Sequence, residues 1–260
     1  MNFGLIDVLP IYGIYIGVAL LILLSFEIGY QVGKHTRSRY DKDAPISLGP
    51  MVGGLLGMLG FVLAFTYSMA ASQHDLRKQN VLDEANAVGT AYLRADLLDE
   101  PHQKEVKRFL REYVDVRLRG ARGENLDAAI TRSVELHDLL WMQVSSAAKT
   151  SPGTNTSLVV QAINQLIDMH EKRVSSGLRN RIPGSIWIAL FIISALTMIT
   201  MGTQVGLTGK RRLVAIIPLA LAFAALTTVV VDLDRPQKGL ITVSQQAMVN
   251  LQNSMNRGIE

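Results

Sequence analysis

Four uncharged stretches stand out along this chain of 260 residues: Val8 to Phe26, Ala44 to Gln73, Ile182 to Gly209 and Leu213 to Val231. A helix crosses about 30 Å of hydrocarbon with roughly 17 to 25 apolar residues, so each stretch is long enough to span a bilayer. The first has neither a basic segment before it nor a small-x-small cleavage pattern ahead of Lys34 to Lys42, and it reads as a retained span. Between His74 and Arg181 the pattern changes. Apolar residues recur there at three- and four-residue steps, and the prolines and most glycines fall at joints, Gly89 and Gly177 excepted. The expected fold is all-α, a polytopic membrane protein with four transmembrane helices and an α-helical extramembrane domain between spans 2 and 3. The boundaries follow as 1–72 for the first two spans, 73–183 for the helical domain, 184–232 for the last two spans and 233–260 for a tail.

Within the helical domain, Val81, Ala85, Val88, Tyr92 and Ala95 step by four and three, a seam suited to partner helices. No proline separates this seam from the second span, so one long helix is expected to leave the membrane there. Pro101 ends it or starts the next helix, which carries Phe109, Leu110, Tyr113, Val114 and Val116 and stops near Gly120 and Gly123. A helix from about Asp127 to Lys149 and another from about Asn155 to Arg181 flank Ser151-Pro152-Gly153. Thr154, Asn155 or Thr156 can cap the second of these. Trp187 sits one turn inside the third span, where an indole favours the headgroup level. A short amphipathic helix is expected over Val243 to Met255.

The charge balance is basic, 26 Lys and Arg against 22 Asp and Glu. The basic residues cluster at span ends, where they set topology, and no nucleic-acid motif accompanies them, so nucleic acid is not an expected partner. Lys34 to Lys42 and Lys210 to Arg212 favour cytoplasmic placement of those two connections, which puts the helical domain outside the cytoplasm. Lys172, Arg173, Arg179 and Arg181, with Arg77 and Lys78, pull the other way. The chain has no cysteine, which excludes disulfides, thiolate metal sites and cysteine nucleophiles.

The second span is rich in glycine. Gly49, Gly53 and Gly57 repeat at four-residue spacing, with Gly54 and Gly60 beside them, and small residues at that spacing let helix backbones approach closely in lipid. Gly54, Gly57, Phe61, Phe65, Ser68 and Ser72 fall on one stripe. A symmetric ring of such helices would turn two aromatic layers to its axis, a constriction that gates by dewetting. The other reading of Phe61 and Phe65 is plain packing between helices or against lipid.

The run Gly60-Phe61-Val62-Leu63-Ala64-Phe65-Thr66-Tyr67 resembles the pore-lining stretch of bestrophin channels. Phe26-Glu27-Ile28-Gly29, Asp83-Glu84-Ala85-Asn86-Ala87 and Asp232 to Pro236 extend the likeness to a bestrophin-like group of bacterial membrane proteins. The resemblance implies a four-span protomer in a homo-oligomeric, pentameric ring at the inner membrane, with Phe61 and Phe65 as neck positions and Gly57 in place of a third rung. It implies a permeant ion, chloride first although bacterial relatives include cation conductors and the stripe carries no charged selectivity ring, and a cytoplasmic helical domain, against the charge reading. Ser68 to Gln73 depart from the Arg and Trp-Trp pattern that follows the neck in bacterial relatives. The acidic calcium clasp of animal members has no counterpart beyond Asp232 and Asp234, so no calcium site is expected.

Other chemistry is sparse. Glu27 lies at the end of the first span as an intramembrane acid, for which an interfacial role competes with ion coupling. Lys104, Lys107, Arg108 and Arg111 share a helix face that is either an electropositive vestibule or an ordinary solvated surface. The five histidines show no metal-binding spacing, and no Walker loop or nucleophile elbow is present. No metal, cofactor or enzymatic activity is expected. Two functions compete: an ion channel lined by the second span, and a non-conducting membrane sensor or scaffold whose helical domain binds a partner.

Overall fold

The structure is a computed structural model, and it describes residues 9–39, 48–209, 213–235 and 239–257. The described residues form eight α-helices and no strand: α1 (Ile11–Arg39), α2 (Gly49–Arg94), α3 (His102–Ala121), α4 (Leu126–Thr150), α5 (Thr154–Leu178), α6 (Gly184–Thr208), α7 (Leu213–Asp234) and α8 (Gln246–Arg257), with a 3₁₀ turn at Ala95–Leu97. Four of these helices are long and apolar enough to cross a membrane. The chain is an all-α, multi-pass membrane protein, as the sequence pattern indicates. The basic connection Lys210 to Arg212, Lys42 of the first connection, and Pro236 and Lys238 of the tail lie outside the described residues.

The chain divides into two compact units. One comprises 1–73 and 181–241, the other 74–180 and 242–260. In the first, α1 packs most extensively along α6 and less so along α7. Glycines explain the closeness. A Cβ at Gly29 would stand 2.0 Å from the Ile199 carbonyl oxygen, and one at Gly33 would stand 2.2 Å from that of Thr203. Reciprocally, Cβ atoms at Gly202 and Gly206 would meet the carbonyl oxygens of Phe26 and Tyr30 at 2.1 and 2.4 Å. Two Gly-x-x-x-Gly pairs therefore interlock backbone to backbone, which favours association in lipid through van der Waals contact. Ile22, Phe26, Leu190, Met198, Ala220 and Ala224 fill the surrounding apolar cluster. Trp187 is buried inside this unit, stacked on Phe191 with centroids 6.2 Å apart.

In the second unit four of the five seam residues, Val81, Ala85, Val88 and Ala95, are buried, whereas Tyr92 is half-buried and Ala91 beside it takes the inner position. Ala85, Val88, Ala91 and Ala95 share one core with Phe109, Leu110 and Val114 of α3, Leu136, Leu140 and Val144 of α4, and Val159, Ile163 and Leu166 of α5. Met248 and Met255 of α8, seven residues apart and so on one face, close the same core. Capping differs from the sequence expectation. The α5 N-cap is Gly153, which has no side chain to offer, and Thr156, inside the helix, turns its hydroxyl back to the Ser151 carbonyl (2.8 Å). The side-chain cap belongs to α4, where Asn125 Oδ1 accepts from the Ala128 N–H at 3.1 Å. Asn125 has φ 42°, a left-handed conformation that asparagine tolerates better than most residues.

Candidate functional site

α2 is a single helix of 46 residues, roughly 70 Å long at 1.5 Å per residue, with two opposed faces. Leu59, Leu63, Thr66 and Ala70 are buried, and the same stripe continues in the second unit as Arg77, Val81, Glu84 and Val88. On the opposite side, about 180° away at about 100° per residue, Gly54, Gly57, Phe61, Phe65, Ser68 and Ser72 are exposed. Phe61 is 72% and Phe65 is 60% exposed. A Cβ at Gly53, Gly54, Gly57 or Gly60 would meet nothing within 4 Å. Inside one chain, close helix approach is thus the work of Gly29, Gly33, Gly202 and Gly206, while Gly53, Gly54, Gly57 and Gly60 of α2 are open. Gly49, the first residue of α2, follows Leu48, whose N–H donates to Gln204.

The buried stripe of α2 carries a polar group that the sequence reading missed as a site. Glu84 is fully buried. Its Oε1 accepts from the Tyr113 hydroxyl at 2.6 Å and faces Arg117 Nε at 2.9 Å, and its Oε2 pairs with Arg173. Arg173 also donates to Gln245 Oε1 at 2.6 Å. Tyr113 has one proton and gives it to Glu84, so His170 Nδ1, 3.1 Å from the tyrosine oxygen, is the donor in that contact. His170 packs edge-on against His137 with centroids 4.7 Å apart. The Nε2 atoms of both histidines have no hydrogen-bond partner among the described residues. Burial, with the Arg117 charge acting in the same direction, pushes His170 down to about 3 and His137 down to about 4. Burial and the Glu84 carboxylate raise the Tyr113 hydroxyl well above its ordinary value. Both imidazoles are therefore neutral at neutral pH, and one carboxylate faces two guanidinium groups. The cluster ties α2 to α3 and α5 through a desolvated charge. One sequence signal announced it, an acid lying between Val81 and Val88 on an otherwise apolar seam.

The four cations of α3 are each engaged. Lys104 pairs with Glu100 at 3.2 Å, Lys107 with Asp96 at 2.5 Å and Arg108 with Glu105 at 2.7 Å, while Arg111 donates to the Tyr92 hydroxyl. Glu27 is half-buried and accepts from Gln31 Nε2 at 3.3 Å. At the end of α7, Asp232 accepts backbone N–H groups of Leu240 (3.0 Å) and Ile241 (2.7 Å). Asp234 accepts from the Ile182 N–H at 3.0 Å and from Arg181 Nε at 2.9 Å, and Arg235 donates to the Leu9 carbonyl at 2.6 Å. These three residues anchor the helix end to three other segments, and a Cβ at Gly239 would strike Asp232 Oδ1 at 2.0 Å.

A four-span helical membrane protein, with a helical unit inserted after a long second helix, is the class these elements define. The bestrophin-like domain matches residues 19–248, and the chain belongs to the bestrophin-like family. A crystal structure of a mutated bacterial bestrophin homolog from Klebsiella pneumoniae has the same fold, with a TM-score of 0.65 and 11% sequence identity over 94% of this chain and 97% of that one. No curated protein matches the chain.

Proposed function

We propose that the protein is a homo-oligomeric ion channel of the bestrophin type, pentameric by resemblance, whose second span lines an axial pore with a hydrophobic neck at Phe61 and Phe65. The observation that carries this reading is the opposition of faces on α2. The side that packs within its own chain is Leu59, Leu63, Thr66 and Ala70, and the two phenylalanines stand on the other side, largely exposed. Two exposed benzyl groups need lipid or further copies of the chain to cover them, and membership of the bestrophin-like family favours copies arranged about an axis. Gly54, Gly57, Ser68 and Ser72 then form the small-sided remainder of the pore wall, Gly57 widening it next to the neck.

In this reading Gly49, Gly53 and Gly60 are surfaces for neighbouring subunits, since no side chain of their own chain fills the space at Gly53 and Gly60. Partners are the bilayer of the cell inner membrane, identical subunits and the permeant ion, for which the resemblance favours chloride. The helical unit stands outside the bilayer. Lys104, Lys107, Arg108 and Arg111, paired as they are with acids or with Tyr92, serve as a solvated surface more than as an anion-attracting vestibule. The test is ion flux from liposomes containing the purified protein. Opening the neck with Phe61→Ala and Phe65→Ala raises flux in this reading. Unchanged flux in a folded, ring-forming double variant overturns the neck assignment.

A further inference from the structure

His137 and His170 are buried groups to which a pore along α2 gives no task. They lie on different helices, α4 and α5, and their rings meet edge to face with centroids 4.7 Å apart. Tyr113 of α3 stands beside both, its ring centroid 5.4 Å from that of His137 and 6.2 Å from that of His170. Because His170 Nδ1 donates to the Tyr113 oxygen, its Nε2 is an unprotonated lone pair, buried and without a partner among the described residues. The Nε2 of His137 is buried and unpartnered in the same way. A neutral imidazole accepts one further proton, so the pair can gain two positive charges.

The groups that would feel those charges come from every helix packed on the pair. Glu84 is on α2, Tyr113 and Arg117 on α3, Asp138 on α4 and Arg173 on α5. Gln245, just ahead of α8, is uncharged and accepts from Arg173. Asp138 is exposed. Of these groups Glu84 alone is a buried carboxylate, and it already faces two guanidinium groups. The site therefore holds an excess of one positive charge before either imidazole is protonated, and a further cation there is both desolvated and repelled.

We infer that His137 and His170 form a proton-operated latch, in which proton uptake by the pair releases α4 and α5 from Tyr113 and Glu84 while the membrane-spanning helices stay folded. The latch goes beyond the channel reading and holds whether or not α2 surrounds a pore. Opening the seam brings the imidazoles into water and restores their ordinary basicity, so acid favours the opened arrangement. Burial and the Arg117 charge hold His137 at about 4 and His170 at about 3 in the closed arrangement, against 6.5 ordinarily. Between pH 7.5 and 5.0 the opening constant then rises by about thirtyfold for each histidine, and on the order of a thousandfold for the pair.

The experiment is amide hydrogen exchange of the full-length protein in detergent at pH 7.5 and 5.0, with each rate divided by the intrinsic chemical rate at that pH. Peptides spanning His137 and His170 are expected to lose protection by about a hundredfold or more at pH 5.0, while those of α1 and α6 change by less than about threefold. No hydrogen bond engages His137 among the described residues, so His137→Leu orphans no partner, and it should cut the acid response by about thirtyfold. Adding His170→Gln should abolish it; if that double variant does not fold, His137→Leu alone decides. Unchanged protection in the wild type at pH 5.0, or an undiminished response in His137→Leu, overturns the latch. Equal loss in α1 and α6 overturns it too, because acid then unfolds the whole chain. Ion flux does not enter the measurement, so failure of the pore reading and failure of the latch are separate results.

Discussion

Removing the Glu84 carboxylate is the most informative single change in the helical unit. In Glu84→Ala, Arg117 and Arg173 lose their common counter-ion while Arg117 keeps only 7% of its side chain exposed. Tyr113, fully buried, loses the acceptor of its 2.6 Å hydrogen bond. Breaking a buried ion pair from one side costs about 3–5 kcal/mol, because the remaining charge stays desolvated, and the orphaned hydroxyl adds about 1–3 kcal/mol. For a domain of this size the first figure alone lowers the melting temperature by roughly 10–20 °C. The assay is thermal unfolding of the detergent-solubilised protein followed by circular dichroism. Glu84→Gln, which can still accept from Tyr113 but has no charge, should fall between wild type and Glu84→Ala. Melting of Glu84→Ala within about 2 °C of wild type would show that the ion pairs do not hold α2 in this unit.

Three further outcomes follow from the same contacts. His137 and His170 titrate at about 4 and 3 in the folded protein against 6.5 ordinarily, so the unfolded chain binds more protons below pH 6.5. Their contribution is complete above that pH and is lost as pH falls from 6.5 towards 4, by about 1.4 kcal/mol per pH unit for each histidine; melting temperatures at pH 7.5 and 5.0 check this, and His170→Gln should flatten the slope. Gly202→Val pushes a side chain into the Phe26 carbonyl, so it should abolish stable membrane-inserted protein in a size-exclusion assay, whereas Gly57→Val, with open space around it, should leave the subunit folded and change only assembly or flux. Asp232→Ala removes the acceptor for the N–H groups of Leu240 and Ile241, and limited proteolysis should then cut near Gly239 faster than in wild type.

Local signals made the helices legible in the sequence. Runs of apolar residues gave the spans, the absence of a break after Ser72 gave the continuous α2, and Pro101 and Ser151-Pro152-Gly153 marked the joints. Contacts that join distant segments were harder. The same four-residue glycine spacing occurs at Gly49 to Gly57, at Gly29 and Gly33, and at Gly202 and Gly206, yet Gly53 and Gly57 meet nothing while the last two pairs meet a backbone inside the chain, since which pair is covered depends on the partner helix and not on the motif. Likewise His170 reads as a neighbour of Glu171, while its actual contacts are Tyr113 and His137 on α3 and α4. Thr154, Asn155 and Thr156 carry capping side chains but all fall inside α5, one residue or more past its N-cap Gly153, whereas the side-chain cap at Asn125 of α4 was not read from the sequence. The stripe on α2 was visible as periodicity, and its exposure became apparent only once the opposite face was seen to be the packed one.

The central claim is that identical α2 helices surround a common axis and turn Phe61 and Phe65 towards it. Single-particle imaging of the detergent-solubilised protein measures this directly. The account expects a ring, five-fold by resemblance, with α2 innermost and both phenylalanine layers at the narrowest radius. A monomer or dimer, or a ring in which those two side chains face the detergent belt, would contradict it.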